Sequence, residues 1–332
     1  MSVATSAATP PVQASLRPRA RAAVLRTVLP VGALAAMIAF FGIRCDTFLT
    51  LTNLTVMSGE AAPLLLAALG ATFVVVMGSI DLSVGSVTLL TGSVTAWLLA
   101  NTGAGLLVIP AGLAVGAAAG LANGLVFTVL RVPSFVTTLG SLSILSGVGL
   151  MIINGSPLPY DNPGFSDLAI GRLVPDIQNA ALWAVGCWAV AVVLAFWTPF
   201  GVGAYAIGGG ERVARLSGLP IARYKVQAFV LSGMTASLAG ILSVGQLGSG
   251  GPTLGSNLLL DVLAAIVVGG TALAGGSGGV HRTLLGVLII TVLANGLNQL
   301  GVGEFQQDVV KGCVVIAAVA ITMLPLRRSE VK

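Results

Sequence analysis

Charge is what this sequence lacks most. Only 8% of its 332 residues are Asp, Glu, Lys or Arg, against about 25% in an ordinary soluble domain, which excludes a chain whose surface lies mostly in water. Aromatic residues are also few, at 5%. Short alternating apolar segments between aromatic girdles are missing, and that excludes an outer-membrane type of β-barrel. Cys45, Cys187 and Cys313 are the only cysteines. They are odd in number and lie in or beside apolar runs, so neither a disulfide framework nor a CxxC metal pattern is available, and they read as small buried residues. The single histidine, His281 in GSGGVHR, has no nearby partner for a metal site or a general base; an interfacial histidine is the plainer reading. Lys225, Lys311 and Lys332 follow Tyr224, Val310 and Val331, never the glycine that a P-loop places before its lysine. The chain therefore reads as a protein with no catalytic residues, no metal and no cofactor of its own.

What is present is apolar: hydrophobic residues make up 56% of the chain, with 44 glycines. A helix needs about 20 apolar residues to cross the hydrocarbon core, and small residues let helices approach closely in lipid. The expected class is an all-α integral membrane protein. Residues 1–23, rich in Ala, Pro, Ser and Arg, read as a disordered cytoplasmic tail. Residues 24–325 are expected to form the membrane domain, and 326–332 a second cytoplasmic tail. Val24 to Ile43 is the first apolar run, too long for the h-region of a cleaved signal peptide. Further spans are expected near 54–77, 82–100, 105–130, 134–153, 180–198, 226–247, 258–275, 283–300 and 306–325.

That makes about ten transmembrane helices, with N- and C-termini cytoplasmic. In this orientation 13 of the 16 Lys and Arg lie inside, leaving Arg44, Arg172 and Lys311 outside among Asp46, Asp161, Asp167, Asp176, Glu304 and Asp308. This follows the positive-inside rule. It also explains a net charge of +5 without nucleic acid, since the basic residues form no block.

Two connections exceed a turn. Residues 154–179 carry four prolines and three aspartates and read as an ordered external loop able to meet a soluble partner. Residues 199–225 are the only sizeable charged internal connection; Gly208 to Gly210 precede a short polar-faced segment, Glu211 to Ser217, closed by Gly218 and Pro220. A single short helix is expected there. FVVVMGSIDLSVGS from Phe73 and AIVVGGTALAGGSGGV from Ala265 both pass from an apolar stretch into a small-residue turn. The match is weak: duplicated halves, common in transporters, would produce it, and so would chance recurrence of Gly-rich turns.

An ionisable residue inside a span costs at least ~2.5 kcal/mol on insertion scales. Glu60 and Asp261 are therefore candidates for a translocation path, or interfacial carboxylates near helix N-termini. Asn123, Thr137, Thr138, Asn295 and Asn298 could bond a hydroxyl-rich cargo or simply neighbouring helices. Asp81 and Ser83, in GSIDLSVGS, read as a turn and cap before the following helix. No carboxylate or basic group sits clearly at mid-membrane depth, so an ion-driven carrier lacks its usual residues.

Several stretches resemble a known family: GSIDLSVGSV at 78–87, GLANGLVFTVLRVPSFVTTLGSLSILSGVGL at 120–150, YAIGGGERVARLSGLPIARYK at 205–225 and LDVLAAIVVGGTALAGGSGGVHRTLLGVLI at 260–289. In this order they are similar to the permease subunits of bacterial ABC importers for ribose and related sugars, which include autoinducer-2 permeases. The resemblance implies an inner-membrane dimer, homo- or heteromeric. A periplasmic sugar-binding protein would deliver substrate, and separate ATPase subunits would hydrolyse ATP with Mg. It also implies that Gly210, Glu211, Arg212, Val213, Ala214, Arg215, Leu216 and Gly218 belong to a coupling helix that docks on the ATPase and drives alternating access. Here Arg212 and Arg215 would offer ion pairs, and Val213 and Leu216 an apolar contact. A channel or secondary carrier working without an ATPase is the competing expectation.

Overall fold

A computed structural model describes residues 16–327. Its chain is mostly helical, in the order α1 (Leu16–Arg44), α2 (Leu51–Val76), α3 (Val84–Thr102), α4 (Val108–Thr128), α5 (Ser134–Ile152), α6 (Pro163–Ile170), α7 (Asn179–Trp197), α8 (Pro199–Gly209), α9 (Glu211–Leu216), α10 (Ile221–Leu247), α11 (Leu258–Val268), α12 (Val280–Gln299) and α13 (Glu304–Arg327). The strand structure described is one antiparallel pair of two-residue strands, β1 (Leu158–Pro159) and β2 (Ser249–Gly250). Seven helices, α2, α3, α4 with the turn before it, α5, α7, α10 and α12, are long and apolar enough to cross a bilayer. Helix α1 starts at Leu16, so it takes in part of the segment expected to be a tail; residues 1–15 lie outside the described ones.

The centre is the pair α2 and α10. From Leu64 to Val76 every residue of α2 is buried, enclosed by α10, α7, α11 and α12. Helix α4 lies antiparallel on α10, its Gly116 opposite Gly233 and its Gly120 opposite the carbonyl of Phe229, so closely that neither glycine has room for a Cβ. Close approach of backbones replaces the hydrophobic driving force that lipid cannot supply.

Three segments differ from the sequence reading. The charged connection 199–225 holds two short helices and the first turn of α10, where the sequence predicts one helix. Thr198 accepts from the Gly201 N–H at 3.4 Å, and Pro199 occupies the first helical position, so α8 starts afresh where α7 stops. Residues 154–179 contain α6, capped by Asn162, whose Oδ1 accepts from Phe165 N at 3.0 Å. The span expected at 258–275 is helical only to Val268. At about 1.5 Å per residue α11 covers roughly half of a hydrocarbon core about 30 Å thick.

The break after α11 matches the break after α2. Met77, Gly78 and Ser79 N–H groups bond the carbonyls of Phe73, Val75 and Val74 at 3.2, 2.9 and 3.1 Å. Gly269, Gly270 and Thr271 bond those of Ala265, Val267 and Ile266 at 2.9, 2.9 and 3.1 Å. Both are glycine-terminated Schellman ends, with φ of +73° at Gly78 and +93° at Gly270. The two turns also meet, Gly276 N donating to Val76 O at 2.8 Å.

Candidate functional site

Two regions gather the polar residues singled out in the sequence. The first is the face that carries α9. Its six residues are stopped by a Schellman turn: Gly218 N bonds Arg215 O at 3.0 Å and Leu219 N bonds Ala214 O at 3.1 Å, with φ +82° at Gly218. Ala214 is buried and pins the helix to the body. Glu211 fixes its orientation, accepting from Arg215 Nη2 at 2.7 Å one turn on and from Lys225 Nζ at 2.8 Å on α10. Lys225 also stands over the Phe127 ring at the end of α4, 4.7 Å from its centroid. Hydrogen bonding from Lys225, reinforced by the charges of Lys225 and Arg215, holds the Glu211 carboxyl below its usual range against the opposing effect of partial burial.

The outward side of α9 is then unpartnered and apolar: Val213 is 69% exposed and Leu216 81% exposed, flanked by exposed Arg212 and Arg215. Beside it a groove of about 820 Å3 is bounded by Phe127, Arg131, Glu211, Arg215, Arg223 and Lys225. The face therefore presents an exposed apolar pair rimmed by basic side chains.

The second region surrounds the 77–83 segment. Gly70 of α2 packs on Ser232 of α10, and α2 continues to Val76, roughly 9 Å further, before it ends. The chain turns at Gly78 and climbs back, so that Asp81 again reaches Ser232. Asp81 Oδ1 accepts from Ser83 N at 2.9 Å and Ser83 Oγ at 2.6 Å, and Oδ2 from Ser232 Oγ at 2.7 Å. Asn123 on α4 donates to Ser83 Oγ at 2.9 Å and accepts from Ser141 on α5. Ser134 Oγ takes the Ile80 N–H at 3.2 Å. Asp81 thus does not cap an amide inside α3; it binds the N–H of Ser83, the residue at the cap position, and ties the segment to α10 while Ser83 and Asn123 extend the knot to α4 and α5.

The path candidates separate. Asn123 and Thr137 are buried, the first in this knot and the second donating to Val132 O at 3.4 Å. Asn295 exchanges hydrogen bonds with Asn53 at 3.0 and 3.1 Å. Asp261 bonds Lys311 Nζ of α13 at 3.0 Å. Glu60 is exposed and joins no ion pair among the described residues.

A helical chain with seven helices long and apolar enough to cross a bilayer is a polytopic membrane protein by class. The chain belongs to the permease-component family of the branched-chain amino acid transport system, whose model matches residues 53–319. It is 39% identical over 301 residues to the ribose import permease protein RbsC of Escherichia coli K12, covering 87% of this chain and 91% of the relative. It is 37% identical over 300 residues to that of Bacillus subtilis, covering 90% and 93%. To the galactose/methyl galactoside import permease protein MglC of Salmonella typhimurium it is 33% identical over 315 residues, covering 90% and 94%. No solved structure matches it significantly.

Proposed function

We propose that this chain is the membrane subunit of an ATP-driven importer for a monosaccharide of the ribose or galactose class. The observation that carries the reading is α9: an exposed Val213 and Leu216 held in place by Glu211 and Lys225, on a chain whose lysines never follow glycine. An energy source on another protein fits both that sequence and the similarity to import permeases. Ten spans with both termini cytoplasmic would put α9 on the cytoplasmic side, within reach of ATPase subunits that bind ATP and Mg, and would put residues 154–179 outside to meet a sugar-binding protein. Two permease subunits would enclose the path between them. The similarity to ribose and galactoside permeases supports the cargo class, and selectivity would reside chiefly in the binding protein.

The test is capture of the cognate sugar-importer ATPase by detergent-solubilised chain. Wild type should retain it, and a Glu211→Ala, Arg212→Ala, Arg215→Ala variant, or Leu216→Asp alone, should lose it while still inserting and folding. Failure of folded wild type to retain any ATPase, with solute uptake by the chain alone, would sink the reading in favour of a channel or carrier.

A further inference from the structure

The longest uninterrupted helix of the core, α10, serves as a ruler. Its 27 residues extend about 40 Å, so Ser232 and Ala236 flank its middle. The start of α3 lies at that level, because Asp81 bonds Ser232 and Thr88 Oγ donates to Ala236 O at 3.1 Å. After α10 ends, the chain comes back without forming a helix. A Cβ on Gly250 would meet Ala96 at 2.7 Å, and one on Gly92 would meet Leu254 at 3.1 Å. One on Gly85, in the first turn of α3, would meet both the Gly255 carbonyl at 2.5 Å and Leu259 at 3.7 Å. Residues 248–257 therefore descend along α3 from the far end of α10 to its middle, and α11 begins there.

Non-helical backbone at mid-depth is tolerated where protein buries it or where it borders water. Leu254 is buried against α3, but Thr253, Ser256 and Asn257 are exposed. Ser256 donates to Thr253 O at 2.7 Å, while the Thr253 hydroxyl and the Asn257 carboxamide have no hydrogen bond among the described residues. Hydrocarbon would strip these groups of water and return no hydrogen bond, the costliest environment for a polar side chain. Water, or a solute that replaces it, satisfies them.

Resting on the importer reading above, we propose that Thr253, Ser256 and Asn257 line the water-filled sugar path near the middle of the membrane. Each offers neutral groups that both donate and accept, matching a neutral polyhydroxyl solute. The nearest charge in sequence, Asp261, is occupied by Lys311, so the segment presents no free ion to a charged competitor.

The test uses the whole importer in proteoliposomes, built on a permease in which Cys45, Cys187 and Cys313 are replaced. Thr253→Cys, Ser256→Cys and Asn257→Cys are each exposed to a membrane-impermeant cationic methanethiosulfonate, with Val185→Cys on α7, 53% exposed, as the lipid-facing comparison. Labelling at least about tenfold faster than at Val185→Cys, the contrast between a wet and a lipid-covered thiol, with matching loss of D-ribose or D-galactose uptake, is the expected result. Labelling no faster than the comparison overturns the proposal. So does disulfide formation between two permease copies at all three positions without labelling, which would make the segment a subunit interface, and so does full labelling that leaves uptake intact. If the cysteine-free importer shows ATP-dependent transport of neither sugar, the sugar reading itself fails, whatever the labelling pattern.

Discussion

Replacing Asp81 by alanine should unlock the polar knot. The substitution removes the acceptor for Ser83 N, Ser83 Oγ and Ser232 Oγ at a site that is 4% exposed. Interhelical hydrogen bonds in membrane proteins contribute about 0.6 kcal/mol each on average, and a buried donor left unmatched costs about 1–3 kcal/mol. Part of that is recovered when the serine hydroxyls turn to carbonyls of their own helices. The expected loss is therefore roughly 2–5 kcal/mol. Asparagine keeps the acceptor facing Ser83, while its amide can donate to the Ser232 oxygen, so Asp81→Asn should cost less than about 1.5 kcal/mol. Thermal unfolding of the detergent-solubilised chain, followed by loss of the monodisperse species, separates the two variants. At roughly 2–4 °C per kcal/mol, alanine should lower the midpoint by several degrees more than asparagine. An alanine variant melting with wild type would refute the knot; equal damage from both would mean that the negative charge, rather than the acceptor geometry, is what matters.

The remaining expectations concern charge and packing. Lys311→Met leaves Asp261 unpaired in a partly buried site and should destabilise by several-fold more than the Lys311→Met, Asp261→Asn pair, a double-mutant cycle read by the same melt. Gly116→Leu places a side chain where the Gly233 backbone lies and should prevent a monodisperse fold, whereas Gly186→Leu, with open space around it, should not. The Glu211 carboxyl is held below its ordinary value of 4.5, so its contribution to anchoring α9 is complete above that value and is lost only as pH falls through the depressed folded value. Being partly exposed, the pair contributes no more than about 1 kcal/mol. ATPase capture should accordingly be level from about pH 8 to about pH 5; a decline centred near neutrality would contradict that anchor.

Much of this architecture can be read from apolar runs, because a helix in lipid must close its own hydrogen bonds and so announces itself by length. Seven of the expected segments coincide with helices long and apolar enough to cross a bilayer. The α9 surface is equally legible: Glu211, Gly218 and Pro220 are local signals, and nothing distant is needed to form six residues of helix. What hydropathy does not reveal is depth. Asp81 followed by Leu-Ser-Val-Gly looks like a turn at a membrane edge, yet 77–83 climbs inward because its polar groups find partners on α4, α5 and α10 that only tertiary packing supplies. The same blindness affects 258–275, whose second half is apolar enough to count as span while Gly269 and Gly270 end the helix. Asn123, Thr137 and Asn295 stand out as polar residues in lipid, but protein neighbours occupy them. Thr253, Ser256 and Asn257 do not stand out, since they sit in what reads as a short connection.

Helix α10 joins the two regions physically. Its first turns carry Lys225, bonded to Glu211 of α9; its middle carries Ser232, bonded to Asp81; and along the same stretch Phe229 and Gly233 meet the α4 backbone without intervening side chains. The contacts with α4 are too close to slide, and the Lys225 and Ser232 bonds make α10 the element that touches both α9 and the 77–83 segment. Intermediacy in space alone does not establish energetic coupling. The decisive quantity is whether Lys225→Met changes ATP-driven labelling at Asn257→Cys by the same factor in Asp81→Asn as in the parent. Equal factors mean independent routes; unequal factors place α10, Asp81 and the mid-depth segment in one two-state element.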